Sequence, residues 1–344
     1  MDTSSQRHVV VIGAGIAGME AAAQLQGLGY AVTLIEEQPQ TGGNLLTWDR
    51  LFPFKRPASE VLGELRSRLG GIHVLTSRRI LNIEKLNAQF ILTVSDGTVL
   101  TADAVLVATG FKPFDAYRKE EYGYGIYDNV FTSVDIERMF REERRILTRS
   151  GEVPRRVGFI HCVGSRDEKA GNRYCSKVCC VTAVKQASEL KEMYPECEVF
   201  CFYMDLRMFD RHYEQMYLDA QTRYGVTFVR GRLSEAAETI DKRIAIKVED
   251  TLVGKPMKMT VDMLVLMVGM EGRTTQLYNS PTLGLSVGKD RFLNAVDEYT
   301  DNNLSRTEGV FLAGTCTGPK HIPEVLADAG AAALRIHRYL CQKA

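Results

Sequence analysis

The sequence predicts an α/β protein with two dinucleotide-binding domains, the second inserted into the first. Three observations support this fold class. A glycine-punctuated strand-to-helix turn opens the chain, a second strand-to-helix pattern begins near residue 157, and an apolar strand followed by a long helix closes it. The 344 residues suffice for about two domains at roughly 150 residues each. The expected bounds are 1–111 with 285–344 for the outer domain and 112–284 for the inserted domain.

Composition and charge exclude several classes of protein. The 43 basic residues balance 43 acidic ones, so neither nucleic-acid binding nor a polybasic membrane anchor is expected. No apolar run approaches the ~20 residues of a membrane span. Glycines and Glu20 interrupt the opening apolar stretch, which argues against a signal peptide and leaves the cytoplasm as the expected location.

The first unit of the outer domain has a strand–helix–strand pattern with the turn "GAGIAG" between its first strand and its helix. Gly13 permits a tight turn, Gly15 lets the backbone approach a pyrophosphate, and Gly18 lets helix and strand pack closely. Glu36 ends the second strand, where a carboxylate accepts hydrogen bonds from an adenosine ribose. The predicted segments are a strand at 9–12, a helix at 19–28 and a strand at 31–35.

The remaining elements follow in order from apolar periodicity and turn residues. Short β-like runs over 80–100 predict an antiparallel meander, and an irregular, charged crossover then leads into the inserted domain. The other predicted elements are a helix at 59–69, strands at 72–76 and 104–107, a helix near 134–145, a strand at 157–161, a helix at 176–193, a strand at 198–203, a helix near 213–224, strands at 226–229, 243–248, 263–268 and 309–314, and a helix at 323–340.

Several motifs together indicate a flavin rather than a nicotinamide. Gly42-Gly43, the meander, "VLVATG" and the late "GVFLAGT" occur in an order that resembles the flavoproteins of the thioredoxin reductase and glutathione reductase superfamily. The resemblance covers nearly the whole chain and implies two Rossmann-like domains and bound FAD. The residues that it assigns to FAD are Gly13, Ala14, Gly15, Ile16, Ala17, Gly18, Glu36, Glu37, Gly43, Asn44, Ile80, Ala108, Thr109, Gly110, Gly314, Thr315, Lys320, His321 and Ile322.

One position departs from that superfamily. Where its members usually have Gly-Asp, with the aspartate on the ribityl chain, this sequence has Gly314-Thr315. Pro323 favours the first turn of the last helix, so that the helix N-terminus, aided by Lys320, could stabilise a reduced flavin. Solvent exposure in a loop is the alternative interpretation of Lys320 and His321.

Four cysteines lie where the inserted domain should carry its own glycine turn. The segment is "HCVGSRDEKAGNRYCSKVCC"; Cys162 ends a strand, and Cys179 and Cys180 lie in the first turn of a helix. Cys175 is four residues before Cys179, so we expect the two to share a face, with Ser176 as the helix N-cap. Four thiolates at one edge of a sheet suit zinc or an iron–sulfur cluster, and a redox-active dithiol is a further alternative.

The pattern C-x-G-S-R-D followed by Y-C-S-x-x-C-C resembles the signature of the heterodisulfide reductase A subunit family. That resemblance implies that Cys162, Cys175, Cys179 and Cys180 bind a [4Fe–4S] cluster beside FAD. It also implies that Lys185, on the helix after the paired cysteines, hydrogen-bonds flavin N5 as a catalytic residue; an ordinary surface lysine is the alternative. Cys197, Cys201 and Cys341 are interpreted as buried or incidental thiols.

The size of the chain sharpens the family resemblance. No C-x2-C-x2-C-x3-C run is present, and the chain resembles the short A subunit of the heterodisulfide-reductase-like complex of sulfur-oxidising prokaryotes. The resemblance implies a role in electron transfer, partners similar to heterodisulfide reductase B and C subunits, and a homodimeric core. Two other hypotheses stay open: a self-contained flavin disulfide reductase with a cysteine dithiol, and a flavin-binding scaffold with vestigial redox centres.

Overall fold

The computed structural model describes residues 6–343. Within them, six α-helices span α1 (Ile16–Gly27), α2 (Ala58–Ser67), α3 (Ser133–Arg138), α4 (Cys179–Met193), α5 (Tyr213–Thr222) and α6 (Ile322–Gln342). The strands are β1 (His8–Ile12), β2 (Ala31–Ile35), β3 (Arg50–Leu51), β4 (Arg56–Pro57), β5 (His73–Leu75), β6 (Ile80–Leu86), β7 (Gln89–Val94), β8 (Val99–Ala102), β9 (Ala104–Val107), β10 (Phe111–Pro113), β11 (Val130–Thr132), β12 (Arg156–Val163), β13 (Glu198–Tyr203), β14 (Thr227–Arg230), β15 (Leu233–Glu238), β16 (Ile244–Asp250), β17 (Lys255–Val261), β18 (Met263–Val268), β19 (Met270–Gly272), β20 (Ser286–Val287), β21 (Leu293–Asn294) and β22 (Val310–Leu312).

The chain forms two compact units. The first unit contains the described parts of Met1–Leu46, Ser59–Lys112 and Glu271–Ala344, and the second contains Thr47–Ala58 and Pro113–Met270. The second unit is thus inserted in the sequence of the first, apart from the short segment Thr47–Ala58. The assignment of a cofactor to each domain, with the bounds given above, stays a prediction.

The first unit is built on a five-stranded parallel sheet in the order β22-β9-β1-β2-β5. Both faces of β1 are covered, and Val9, Val10 and Val11 are fully buried, as is typical of parallel sheets. Because parallel strands all point the same way, the residues after β1, β2, β9 and β22 lie at one edge of this sheet. The predicted meander is confirmed as the antiparallel sheet β6-β7-β8.

The second unit repeats this plan in the five-stranded parallel sheet β11-β18-β12-β13-β14. Its β12 buries both faces, with Phe159 in one core cluster and Ile160 in another. The cluster around Phe159 also contains Cys162, Cys179 and Cys180. The core of this unit therefore extends to the start of α4.

Two features of the second unit differ from the sequence prediction. The antiparallel sheet β15-β16-β17 has three strands, whereas the sequence predicted one at 243–248. The other two strands were not predicted because charged residues such as Glu235 and Lys258 occupy their exposed positions and interrupt the apolar pattern. The helix predicted near 134–145 is short: α3 ends at Arg138 and continues as a π-helical turn over Met139–Glu143.

Within residues 6–343, none of the helices has both the length and the apolar character needed to cross a membrane.

Candidate functional site

The glycine turn after β1 leaves open space at the N-terminus of α1. Gly13 has a φ of +103°, and a Cβ on Gly18 would lie 1.8 Å from the carbonyl oxygen of Gly13. At Gly15, the N-cap of α1, nothing lies within 4 Å of the position of a Cβ. The turn includes Ala14, and the N–H groups of Ile16, Ala17 and Gly18 have no partner within the helix because they belong to its first turn. This space and these donors suit a pyrophosphate.

Glu36 lies at the end of β2 and is buried against the glycine turn. Its Oε2 accepts a hydrogen bond from the N–H of Ala14 at 2.8 Å, and its Oε1 accepts one from Gln38 at 2.9 Å. Each carboxylate oxygen can accept a second bond, so ribose hydroxyls could still donate to it. Glu37, the neighbouring candidate, is exposed to solvent.

The Gly42-Gly43 loop packs on the same turn. Gly42 donates its N–H to the carbonyl of Ala14 at 2.7 Å, and a Cβ on Gly43 would lie 3.2 Å from the Cα of Gly15. Asn44 donates from Nδ2 to the carbonyl of Phe111 at 3.2 Å. A side chain at Gly43 would therefore contact the backbone of the glycine turn at Gly15.

The ends of β9 and β22 supply further predicted residues at this edge. Ala108 follows β9 and donates its N–H to Ile12 at 2.8 Å. A Cβ on Gly110 would lie 3.7 Å from Oγ1 of Thr315, so these two predicted residues face each other. The Thr109 hydroxyl hydrogen-bonds to the buried hydroxyl of Tyr278, a residue that no sequence motif marked. Ile80 begins β6 and packs on the core of this unit.

The turn after β22 is organised by an aspartate that the sequence motifs also left unmarked. The N–H of Gly314 donates to Oδ2 of Asp328, on α6, at 2.7 Å. Nζ of Lys320 donates to the carbonyl of Gly314 at 3.0 Å and lies 3.5 Å from the same Asp328 oxygen. His321 is the N-cap of α6 and Ile322 its first residue. Lys320 is thus tied to this turn, and a carboxylate reaches it from a later helix.

In the second unit, the cysteine segment starts at an irregular end of β12. The register between β12 and β18 shifts between Ile160 and Val163, and Cys162 has a φ of +60°. The segment then doubles back, since Asp167 and Asn172 exchange backbone hydrogen bonds of 2.8 and 3.0 Å. Nζ of the buried Lys119 holds the Asp167 carboxylate at 2.8 Å.

The start of α4 corrects two predictions. The N-cap is Val178, not Ser176, whose Oγ instead accepts the N–H of Met270 at 2.9 Å. Lys177 has a φ of +61°, which breaks the helical path before Cys179. Cys175 therefore precedes the helix and does not share a helical face with Cys179. The prediction that Cys179 and Cys180 lie in the first helical turn is confirmed.

The four cysteines come to the same edge of the sheet with unequal spacing and burial. Cys162, Cys179 and Cys180 are buried, whereas Cys175 is half-buried. The sulfurs of Cys162 and Cys179 are 3.7 Å apart. Cys175 accepts the N–H of Lys177 at 3.3 Å, and Cys180 donates to the carbonyl of Asp205 at 3.6 Å. Across residues 6–343, no three His, Cys, Asp or Glu side chains stand in an arrangement ready to hold a metal ion.

Hydrogen bonds among the cysteines lower the pKa of two of them and raise that of a third. The hydrogen bond from Cys179 lowers the pKa of Cys180 to about 4, with the His161 side chain adding to the effect and burial opposing it. The hydrogen bond from Cys179 also lowers the pKa of Cys162. The pKa of Cys179 itself is raised, because its hydrogen bonds with Cys162 and Cys180 and its full burial favour the neutral thiol. Thiolates are the form of cysteine that binds metals.

Polar atoms without partners lie beside these cysteines. Oγ of Ser165 and Nη1 of Arg166 are buried and have no hydrogen-bond partner. The Arg166 guanidinium acts electrostatically on Cys162 and Cys175, and its other end donates to Asp205 at 2.6 Å. Buried donors beside cysteine sulfurs are typical surroundings of an iron–sulfur cluster, so the residue types present suit such a group, while the side chains described in residues 6–343 do not converge on one metal position.

Lys185 is buried on α4 within a charged cluster of the second unit. Its Nζ donates to Glu137 and to the carbonyl of Arg50, and lies 3.4 Å from Glu189. Burial raises the pKa of Glu189 to about 7. The alternative of a surface lysine is wrong, since Lys185 is only 2% exposed. Its predicted bond to a flavin stays a prediction.

The remaining cysteines are divided between the core and the surface. Cys197, Cys201 and Cys316 are buried, whereas Cys341 is exposed on α6. Burial raises the pKa of Cys197 and of Cys316 to about 11. None of these three buried thiols is activated as a nucleophile at neutral pH.

Comparison with known proteins identifies relatives for both units. The family model described as pyridine nucleotide-disulphide oxidoreductase matches residues 2–145 and 180–333. One iron-sulfur A subunit of the CoB–CoM heterodisulfide reductase of Methanopyrus kandleri is 31% identical over 95% of this chain and 63% of its own length. The A subunit of the H(2):CoB-CoM heterodisulfide,ferredoxin reductase of Methanothermobacter marburgensis is 43% identical over 67% of this chain and 36% of its own length. The chain thus spans less than two thirds of these relatives.

The solved structures that resemble the chain are thioredoxin reductases. The enzyme from T. acidophilum aligns with a TM-score of 0.67 at 18% identity, and that from Lactococcus lactis with 0.68 at 15%. Each alignment covers 98% of this chain and 100% of the other. They confirm the predicted fold of two Rossmann-like domains.

Proposed function

Because the chain belongs to the pyridine nucleotide-disulphide oxidoreductase family, and is therefore an oxidoreductase, we propose that it is an electron-transfer subunit of a heterodisulfide reductase-like complex. It would hold FAD in the first unit and a [4Fe–4S] cluster in the second. FAD exchanges electron pairs and an iron–sulfur cluster passes single electrons, so a chain with both converts between the two modes.

The observation that carries this proposal is the replacement of a glycine turn by cysteines. In the first unit, β1 leads through Gly13–Gly18 to α1, with open space at Gly15. In the second unit, the corresponding connection from β12 to α4 carries four thiols instead. Thiols suit a metal centre, not a dinucleotide phosphate, so an intact nicotinamide site in the second unit is not expected.

The chain's own residues would place and tune the two groups. The N-terminus of α1 would bind the pyrophosphate, and Glu36 the ribose. Cys162, Cys175, Cys179 and Cys180 would ligate the cluster, with Ser165 and Arg166 donating to its sulfurs.

The relatives' names suggest the partners. They describe subunits of heterodisulfide reductases, one of them a heterodisulfide,ferredoxin reductase. We propose B- and C-like subunits as partners, a homodimeric core, and sulfur compounds as the ultimate electron source.

The test is a count of iron and sulfide. The chain is purified without oxygen, and iron, acid-labile sulfide and flavin are measured together. We expect about four irons and four sulfides per FAD. Cys175→Ala should remove the iron and keep the FAD, whereas the exposed Cys341→Ala should keep both. FAD without iron after anaerobic reconstitution would overturn the cluster.

A dithiol reductase is the second candidate, favoured by the 3.7 Å between the sulfurs of Cys162 and Cys179. Here the two thiols would be oxidised to a disulfide, and a substrate disulfide would take the two electrons and two protons. This candidate predicts turnover without iron that Cys179→Ser abolishes, so the same preparation distinguishes it.

A further inference from the structure

A polar cavity of about 310 Å³ lies in the second unit, beside the hairpin at 167–172 in the cysteine segment. Its walls come from that hairpin, from two short helical turns after β10, and from β15. The lining residues are Arg118, Lys119, Glu121, Lys169, Ala170 and Ser234. Three of them carry a positive charge and one a negative charge, so the cavity suits an anion, and its volume is that of a small-ligand pocket.

Lys119 provides a charged donor whose position is fixed by packing. The residue is only 3% exposed, and its Nζ lies 2.8 Å from the Asp167 carboxylate and 2.6 Å from that of Glu121. Burial opposes the charge of Lys119, but the hydrogen bonds and charges of these two carboxylates outweigh it and raise the pKa of the lysine. An ammonium group has three N–H donors, and two are taken here, so a third can reach a ligand.

The other donors of the cavity lie on its exposed side. Lys169 and Ser234 are both exposed, and within residues 6–343 neither the Lys169 ammonium nor the Ser234 hydroxyl has an ion pair or hydrogen bond. The Arg118 guanidinium is held in place, because it donates to the carbonyl of Ala170 at 3.0 Å and lies 4.6 Å from the centre of the Phe114 ring. Donors therefore reach the cavity from each of its three walls.

We propose that this cavity binds a phosphate group, either as the free ion or as the end of a small phosphate ester. The phosphate oxygens accept hydrogen bonds in several directions at once, and charged donors make such bonds the stronger kind. Lys119, Lys169 and Ser234 would donate to them. Glu121 would oppose binding, because its carboxylate shares the wall and repels an anion. This site does not depend on the proposed cluster or on electron transfer.

A ligand in this cavity would also hold the hairpin of the cysteine segment. Lys169 and Ala170 belong to that hairpin, whose ends Asp167 and Asn172 exchange backbone hydrogen bonds. Lys119 already joins Asp167 to the chain before β11. A phosphate between Lys169 and Lys119 would join the tip of the hairpin to the same lysine. Because the ligand binds only the closed hairpin, it should slow local opening and amide exchange there.

The experiment titrates the whole chain with inorganic phosphate at an ionic strength held constant with chloride. The chain is first saturated with FAD, so that phosphate does not compete for the N-terminus of α1. Calorimetry gives the affinity, and hydrogen exchange followed by mass spectrometry locates the ligand. We expect saturable binding of one phosphate per chain. At ten times the dissociation constant, exchange over residues 166–174 should slow by up to about tenfold.

Ribose 5-phosphate is the second arm of the titration and distinguishes the two sources of the phosphate group. The cavity has room for more than the ion alone. Binding tighter than that of inorganic phosphate would support an ester as the ligand, and equal or weaker binding would support the free ion.

Variants of opposite charge should have opposite effects. Lys169→Gln should weaken phosphate binding by about tenfold, because it removes a charged donor. Glu121→Gln should strengthen binding by about threefold, because it removes the repelling carboxylate. Ser234→Ala is a second weakening variant, and both it and Lys169→Gln leave the buried pair of Lys119 and Asp167 intact.

Lys289→Gln is the matched control. Lys289 is an exposed lysine of the first unit, and its replacement should change the affinity by less than about twofold. Three results would overturn the proposal: no saturable binding of phosphate or ribose 5-phosphate, equal losses of affinity in Lys169→Gln and Lys289→Gln, or protection from exchange that spares residues 166–174.

Discussion

The two units begin alike and differ in what fills the first strand-to-helix turn. In the first unit, β1 ends at Ile12 and α1 begins at Ile16. In the second, β12 ends at Val163 and α4 begins only at Cys179, after a segment that doubles back. The short turn leaves space for a ligand, and the long one brings side chains to the same edge. The same strand-to-helix connection can therefore present either backbone N–H groups, as after β1, or cysteine side chains, as after β12.

The helices after these turns differ as well. The buried residues of α1 are mostly small or apolar, among them Ala17, Ala21, Ala22 and Leu25. Those of α4 include Lys185, Gln186 and Glu189. The second unit therefore buries a lysine and two carboxylates together beneath its turn, and its stability should respond to charge and pH.

The largest effect should come from Lys185→Met. This change leaves Glu137 and Glu189 buried without their cation, and removing one partner of a buried ion pair costs about 3–5 kcal/mol. Unfolding of the second unit can be followed by the fluorescence of Trp48, the only tryptophan. Adding Glu137→Gln should restore part of the loss; no loss in the single variant would contradict a network that stabilises this unit.

The next effect is a pH dependence that Glu189 confers on the second unit. Its pKa is about 7 in the folded chain against 4.5 ordinarily, chiefly through burial, with the Lys185 charge opposing and the Glu137 charge adding. The folded state therefore binds more protons between pH 4.5 and 7, and stability falls as pH rises through that window, by up to about 3 kcal/mol. Chemical unfolding at several pH values should show this fall, and Glu189→Gln should remove it. A stability that rises through the same window would contradict the assignment.

A smaller effect should distinguish two glycines of the first unit. A Cβ at Gly18 meets a backbone oxygen at 1.8 Å, so Gly18→Ala should destabilise the first unit by about 1–3 kcal/mol. A Cβ at Gly15 has no atom within 4 Å, so Gly15→Ala should leave the apoprotein as stable as the unmodified chain. It should weaken FAD binding, because the added methyl group fills the space proposed for the pyrophosphate. Thermal unfolding and a flavin titration separate the two, and both variants should keep their iron. If Gly15→Ala bound FAD as tightly as the unmodified chain does, the pyrophosphate would not bind at this turn.

The smallest effect should be that of Arg166→Gln. Removing a positive charge beside Cys162 and Cys175 disfavours the reduced, more negative cluster, so the reduction potential should fall. A potentiometric titration monitored by EPR gives the shift. Arg173→Gln, on an exposed side chain of the same segment, is the control and should leave the potential unchanged.

The sequence predicted both parallel sheets because their strands are continuous apolar runs, as at Met263–Val268, and predicted the glycine turn because its spacing is local. It failed where partners are distant in the chain. Ser176 resembles an N-cap, but its hydroxyl is taken by Met270, 94 residues away. Strands β15 and β17 carry many charged residues, so the sequence shows no clear alternation of apolar and polar positions there.

The candidate site was predictable in its residues and not in its supporting contacts. The cysteines form a recognisable motif, whereas Asp328 lies in an alanine-rich helix and meets Gly314 only in the folded chain. Likewise, Glu189 stands one helical turn from Lys185, a spacing common on exposed helix faces. Only burial distinguishes this pair from a surface ion pair.

Cys162 adopts a left-handed backbone conformation, with φ of +60°, just as Gly13 does in the first unit with +103°. That conformation costs an ordinary residue of order 1 kcal/mol and costs glycine almost nothing. Codons for cysteine and glycine differ by one base. A single base change at this position would thus relieve the backbone and delete a thiol, so a glycine turn and a cysteine-bearing turn are separated here by one base. Retention of cysteine against that bias would be a record of selection for the sulfur.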